Sequence, residues 1–313
     1  MDAVAAVRRA RFPYVNAALF AATAVTTLWA GAQLGELPQA GNAVAQVVLG
    51  GLPFAAAILG ILVCHEMGHY LLGRAYGVDS TLPFFIPVPF GFGTFGAVIR
   101  IRSAMPTRRA VIDIGAAGPI AGFVVAVPLL AWGLAHSEIR AVGEGAAQAS
   151  NVGSPFAILR ALWLHQELRG GGGLQMMGDS LVTWGVAKLV VGALAPGFDV
   201  FLHPVALAAW LGLFVTTLNL IPIGQLDGGH VTYALLGRRG AFWVSRAVSL
   251  GLLGFGIFAS WNWLIWWLIT LFGVGLRHPP ALVEEPLGPG RKLLAVVSLL
   301  LFLATFIPVP IAV

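Results

Sequence analysis

His65-Glu66-Met67-Gly68-His69 places two imidazoles and a carboxylate inside the apolar string ILVCHEMGHYLL, residues 61–72. Charged groups in a membrane-spanning stretch cost roughly 2.5–3.5 kcal/mol each, so they need a chemical reason to be there. On a helix, His65 and His69 are four apart and share a face. Two imidazoles at that spacing can bind one Zn²⁺, and Glu66 beside them can act as general base toward a water. The plainer alternative is a pair of histidines satisfied by hydrogen bonds inside a helix bundle.

A two-histidine zinc site needs a third protein ligand. The run LNLIPIGQLDGGH, residues 218–230, again carries polar groups at membrane depth. Pro222, Gly228 and Gly229 break a helix there, which lets Asp227 turn toward a neighbour. Asp227 is therefore the best candidate ligand, with His230, His203 and His278 as alternatives. His230 also suits a role behind the ligands, orienting them. A plain turn aspartate before glycine is the competing reading of Asp227. Asn219 offers an amide that either donates to a developing oxyanion or ties two helices together.

The elements that must position these residues are membrane spans. Of the 313 residues, 58% are hydrophobic and 10% charged, with a mean hydropathy of +0.87. Soluble domains carry about 25% charged residues, so the chain reads as an all-α polytopic membrane protein. The net charge of +5 does not indicate nucleic acid, because the basic residues sit in short loops beside apolar runs. Those runs lie near 14–33, 52–73, 110–133, 203–222, 242–258, 261–276 and 293–309, which makes about seven spans. The stretch 43–51 either extends the second span or lies in the interface. The apolar run from about 14 to 31 is near spanning length, so it reads as a retained helix rather than a signal peptide. Of 18 Lys and Arg residues, 14 fall on one side with the N-terminus and four (Arg140, Arg160, Arg169, Lys188) on the other. That bias predicts a cytoplasmic N-terminus and a site near the cytoplasmic side. Cys64 is the only cysteine; it points about 100° away from the His65 face, so it reads as a buried small hydrophobe.

Residues 81–102, TLPFFIPVPFGFGTFGAVIRIR, do not read as helix. Three prolines block it, the Gly91–Gly96 cluster signals a turn, and Phe95–Arg102 alternates like a strand. A hairpin embedded beside the site explains this composition, because irregular backbone at that depth must be covered or line a cavity. Gly118 and Gly122 form a small-residue face on the following span, and Asp113 reads as a solvated helix-start carboxylate. In the external stretch 137–200, Gly170–Gly173 reads as a flexible break and 180–195 as an interfacial amphipathic helix.

HEMGH on one helix and NLIPIGQLDGG on a later one resemble the site-2 protease family of intramembrane zinc metalloproteases. The likeness covers 52–240. HPP (278–280) and FIPVPIAV (306–313) resemble the plant-plastid and bacterial branch without a PDZ domain. Carried over by position, the resemblance implies His65, His69 and Asp227 as zinc ligands and Glu66 as the base. Asn219 matches the family asparagine, though two residues separate it from Pro222. Gly93, Thr94 and Phe95 on the hairpin would bind substrate. The three core helices (52–73, 110–133, 203–222) would hold zinc below the cytoplasmic surface. The expected architecture is then an N-terminal helix and linker (1–51), a protease core (52–240) and C-terminal helices (241–313). The expected reaction is cleavage of transmembrane segments of other proteins within a lipid bilayer, expected to be the bacterial inner membrane. The rival readings are a transporter that uses buried His and Asp for metal or protons, and a membrane metalloprotease for lipid-modified peptides. Transporters usually show two related halves, and none is visible here.

Overall fold

The computed structural model describes residues 13–34, 42–141, 176–195 and 197–312. The expected break at Gly170–Gly173 and the basic residues Arg8, Arg9, Arg11, Arg160 and Arg169 lie outside them. Helices α1 (Tyr14–Leu34), α2 (Ala43–Ala75), α3 (Arg108–Ala135), α4 (Leu181–Val190), α5 (Pro204–Leu220), α6 (Asp227–Phe258), α7 (Asn262–Leu268) and α8 (Pro289–Thr305) make up most of the structure. Strands β1 (Phe84–Pro87), β2 (Thr94–Val98), β3 (Glu138–Ala141), β4 (Met176–Met177), β5 (Phe198–Phe201) and β6 (Ile311–Ala312) form three two-stranded sheets, β1–β2, β3–β5 and β4–β6. The molecule is thus mainly helical rather than purely α.

Among the described residues, four helices are long and apolar enough to cross a membrane: α1, α2, α3 and α6. The other expected spans map onto shorter helices. The one near 261–276 is α7, which continues into a π-helical stretch, Ile269–Val274. The stretch 43–51 belongs to α2, whose first turn is capped by Asn42 accepting from Ala45 N–H. The run expected at 242–258 is the second part of α6, which starts much earlier at Asp227.

The core is α2, α3 and α5 packed pairwise. Helix α5 is apolar all round and almost wholly buried from Val205 to Leu213, the pattern of a central helix. In lipid there is little hydrophobic drive between helices, so close contact relies on small residues. Gly212 of α5 faces Ile61 of α2, and Gly133 of α3 faces Ala206 of α5. Helix α3 is capped by Thr107, which accepts from Ala110 N–H. Asp113 on α3 is not a free carboxylate: it accepts from Tyr76 at the end of α2 and pairs with Arg291 of α8 at 2.7 Å. Three elements are clasped there.

The hairpin is present, with Phe85 paired to Ala97 and Phe84 to Val98. Its turn lies at 88–93, closed by Val88 N–H to the Gly93 carbonyl, so Thr94 opens β2 rather than sitting at the tip. Helix α1 holds it. Asn16 donates to the carbonyls of Leu82 and Pro83, and Thr26 donates to the Gly93 carbonyl at 2.7 Å. Cys64 is half-buried rather than fully buried.

Candidate active site

His65 and His69 lie on α2, and Asp227 opens α6, one loop after α5 ends at Leu220. Ile221–Leu226 turns the chain sharply, with Gly224 at φ 52° pressed against the Gly275 carbonyl. That turn brings Asp227 back to α2. His65 Nε2 and His69 Nε2 are each 3.3 Å from Asp227 Oδ2. They are 3.3 Å from one another. The three atoms form a nearly equilateral triangle. Zinc bonds of 2.0–2.1 Å in a tetrahedron require ligand atoms about 3.3 Å apart, so this donor set fits Zn²⁺. His203, the N-cap of α5, and His278 are not part of the triangle.

The ligands are held from behind. His69 Nδ1 donates to the Ile114 carbonyl at 2.7 Å, which leaves Nε2 facing the other two donor atoms. Helix α3 presses on both imidazoles through its small residues. A Cβ at Gly118 would lie 2.0 Å from His69 Nε2, and one at Gly122 would lie 3.1 Å from His65 Nδ1. Gly115, one turn earlier, seats His230 in the same way at 2.6 Å from its Cβ. The small-residue face read as helix contact is therefore also the wall behind the donor triangle.

Glu66 is buried at 4% exposure, next to the ligands in sequence. The Ile99 backbone, just past the end of β2, lies beside its carboxylate. The hairpin and the carboxylate are thus neighbours. Asn219, half-buried near the end of α5, brings Nδ2 to 3.1 Å from His65 Nε2. It stands at the rim of the triangle, where an oxyanion donor would be needed and where a helix-to-helix bond would also fall.

Of the three hairpin residues, the structure separates their directions. Gly93 (φ 81°) backs onto α1, where a Cβ would meet the Thr26 carbonyl at 2.5 Å. Thr94 is buried and donates to the Ile86 carbonyl. Phe95 alone projects outward, 71% exposed.

His230 does not join the ligands. Its Nδ1 lies 2.5 Å from His278 Nε2. His278 reaches in from the loop after the π-helical stretch and is 6% exposed. Burial, reinforced by the neighbouring His230, pushes its imidazole down to about 3, so it is neutral. Sequence reasoning named both histidines as alternative ligands but had no signal that they meet each other.

A family model described as peptidase family M50 matches residues 53–259. The chain is 30% identical over 261 residues to a protein from Arabidopsis thaliana named probable zinc metalloprotease EGY2, chloroplastic, covering 83% of this chain and 42% of that protein. It is 32% identical over 261 residues to probable zinc metalloprotease EGY1, chloroplastic, of the same plant, covering 82% and 43%. It is 30% identical over 261 residues to probable zinc metalloprotease EGY3, chloroplastic, from Oryza sativa subsp. indica, covering 82% and 42%. The chain spans less than half the length of these relatives. No solved structure matches it. A family match that takes in both halves of the donor triangle, Glu66 and Asn219 settles the kinship: the chain belongs to peptidase family M50, the site-2 protease family.

Proposed function

We propose that this chain is an intramembrane zinc metalloprotease that hydrolyses peptide bonds in transmembrane segments of membrane-protein substrates. The observation that carries the reading is the 3.3 Å triangle of His65, His69 and Asp227, with Glu66 buried alongside. These three side chains would hold zinc. When bound there, zinc supplies Lewis acidity, which makes a water more acidic and a carbonyl more electrophilic. Glu66 takes the proton from the attacking water and returns it to the leaving amine. The Asn219 amide donates to the oxyanion that develops on the scissile carbonyl.

A helical substrate hides its amides, so it must unwind to be cut. Strand β2 pairs with β1 alone among the described strands, which leaves its other edge able to add an extended chain. Ile99, just past the end of that strand, lies beside Glu66, so a segment laid along β2 would pass beside the base. Phe95, which projects outward from the hairpin, would touch it. The four long helices, together with α5, the α7 region and α8, would make seven spans in a core at 52–240 and its flanks. The N-terminus would be cytoplasmic, and the membrane a bacterial inner membrane.

The test is Glu66→Gln in purified protein. The amide is isosteric but cannot take a proton. Zinc content and helicity should stay at the wild-type level while cleavage of a transmembrane substrate disappears. Substantial cleavage by this variant would remove Glu66 from the base role.

A further inference from the structure

We propose that His278 is a positioning residue for the metal centre: through His230 it fixes the helical turn that presents Asp227. The inference rests on the metal site proposed above.

The hydrogen bonds dictate one arrangement. The Pro279 carbonyl can only accept, and His278 Nδ1 lies 2.5 Å from it. Nδ1 therefore carries the proton, and the neutral ring offers Nε2 as an acceptor. His230 Nδ1, 2.5 Å away, must donate to it. The chain of bonds ends at a carbonyl, which cannot pass a proton on. It is built to orient rather than to conduct.

What it orients is the first turn of α6. His230 is three residues from Asp227, and its N–H closes onto the Leu226 carbonyl at 2.9 Å. The Cβ of His230 and the carbonyl of Asp227 both rest on Gly115. Helix α3 thus bears on one side of this turn and His278 on another. His278 is itself locked. Its ring stacks on Tyr233 at 4.2 Å and 9°, and meets the His230 ring edge-on at 4.8 Å. The Tyr233 hydroxyl accepts from Ala281 N–H and donates to Glu284. Val283 in turn pairs with the backbone leading into α3. A ligand-bearing turn held by so many fixed partners has little freedom to let Asp227 leave the triangle. Outer partners of this kind typically govern metal affinity by about 10–100-fold.

Cobalt titrated into the full chain in detergent tests this, because the visible bands of Co²⁺ report ligand geometry without any reference to turnover. Two variants isolate the acceptor. His278→Leu fills space without an acceptor, and His278→Gln keeps one. Wild-type protein should bind one Co²⁺ with a tetrahedral spectrum. His278→Leu should bind about 10–100-fold more weakly with altered bands, and His278→Gln should recover most of both. His230→Ala should match His278→Leu, and the double variant should be no weaker than either single one, as for two residues on one path. Equal affinity and spectra for Leu and Gln would overturn the proposal, and so would losses that add in the double variant. If His278→Leu does not fold, His230→Ala decides, and wild-type affinity and bands in that variant overturn it. Absence of binding to wild-type protein would instead sink the metal site itself.

Discussion

Gly118→Ala tests how closely α3 is fitted to the metal site. The added methyl would sit 2.0 Å from His69 Nε2, 2.4 Å from Cδ2 and 2.5 Å from Cε1. Ordinary contact begins near 3.4 Å, so about 1.4 Å must be found. The helices cannot part easily, because Gly68 of α2 already leaves no room against the Ala117 carbonyl, where a Cβ would be 2.6 Å away. The imidazole must therefore move. Metal sites tolerate only about 0.2 Å in ligand distance. The loss should exceed that of an outer partner, at least about 100-fold in zinc affinity, or roughly 2.7 kcal/mol. Helix propensity acts in the opposite direction, favouring alanine by about 0.8–1.0 kcal/mol, so the helix itself is not weakened. Gly60→Ala on α2 is the control, since a Cβ there meets nothing within 4 Å. The assay is elemental zinc per chain after dialysis against a graded chelator. Gly60→Ala should match wild type while Gly118→Ala loses metal. Stoichiometric zinc at wild-type affinity in Gly118→Ala would refute the placement of His69 against α3.

Three further outcomes are expected. Asn219→Ala should keep zinc and lower kcat by about 100–1000-fold; an unchanged kcat would leave Asn219 as a tie between α5 and α2. Gly93→Ala, with a Cβ 2.5 Å from the Thr26 carbonyl, should lower cleavage without zinc loss, and a crosslinker at Phe95 should capture substrate where one at Thr94 does not. Substrate captured from position 94 alone would reverse the assignment of the hairpin's faces. Burial, opposed by the Thr183 hydroxyl and aided by the Asp199 charge, pushes Asp179 up from 3.8 to about 6. The folded state therefore binds the proton more tightly than the unfolded one, and this contribution to stability is full below 3.8 and lost as pH rises through about 6. Asp179→Asn should thus raise the melting temperature more at about pH 7.5 than at about pH 4.5, and an equal gain at both would remove ionisation as the cause.

The residues of the donor triangle were legible because their signal is local and chemical. Two histidines four apart share a helix face whatever surrounds them, and Asp227 was singled out because a two-histidine site needs a third ligand. The hairpin was legible for the same reason, since three prolines and a glycine cluster exclude a helix over 81–102. The bounds of α2 and α6 were harder to read. Apolar composition marks where lipid or protein covers a helix, but it does not mark where the hydrogen-bond ladder starts, so 43–51 stayed open between a span extension and the interface, and 227–241 was not assigned to a helix. Contacts made by folding were invisible. Nothing in the sequence says that Arg291 reaches Asp113, that α1 grips the Gly93 carbonyl, or that His278 meets His230, because these pairs are 178, 67 and 48 residues apart. Gly118 and Gly122 stood between the two cases. Their spacing announced a close neighbour, but it could not reveal that the neighbours are the imidazoles themselves.

Helix α6 is one element with a break in it. Gly237 takes φ 70° and ψ −178°, so the ladder is interrupted there. The guanidinium of Arg108 holds the Ala234 carbonyl at 2.6 Å just before the break. Beyond it, the 21 residues from 238 to 258 rise about 31 Å, the thickness of a bilayer's hydrocarbon core. A spanning helix adjusts its tilt when the surrounding lipid thickens or thins. The break at Gly237 separates that spanning piece from the hydrogen-bond ladder of the short piece bearing Asp227, which rests on α3 through Gly115 and Arg108. A centre separated in this way from the tilting helix should keep one geometry in short-chain and long-chain lipids.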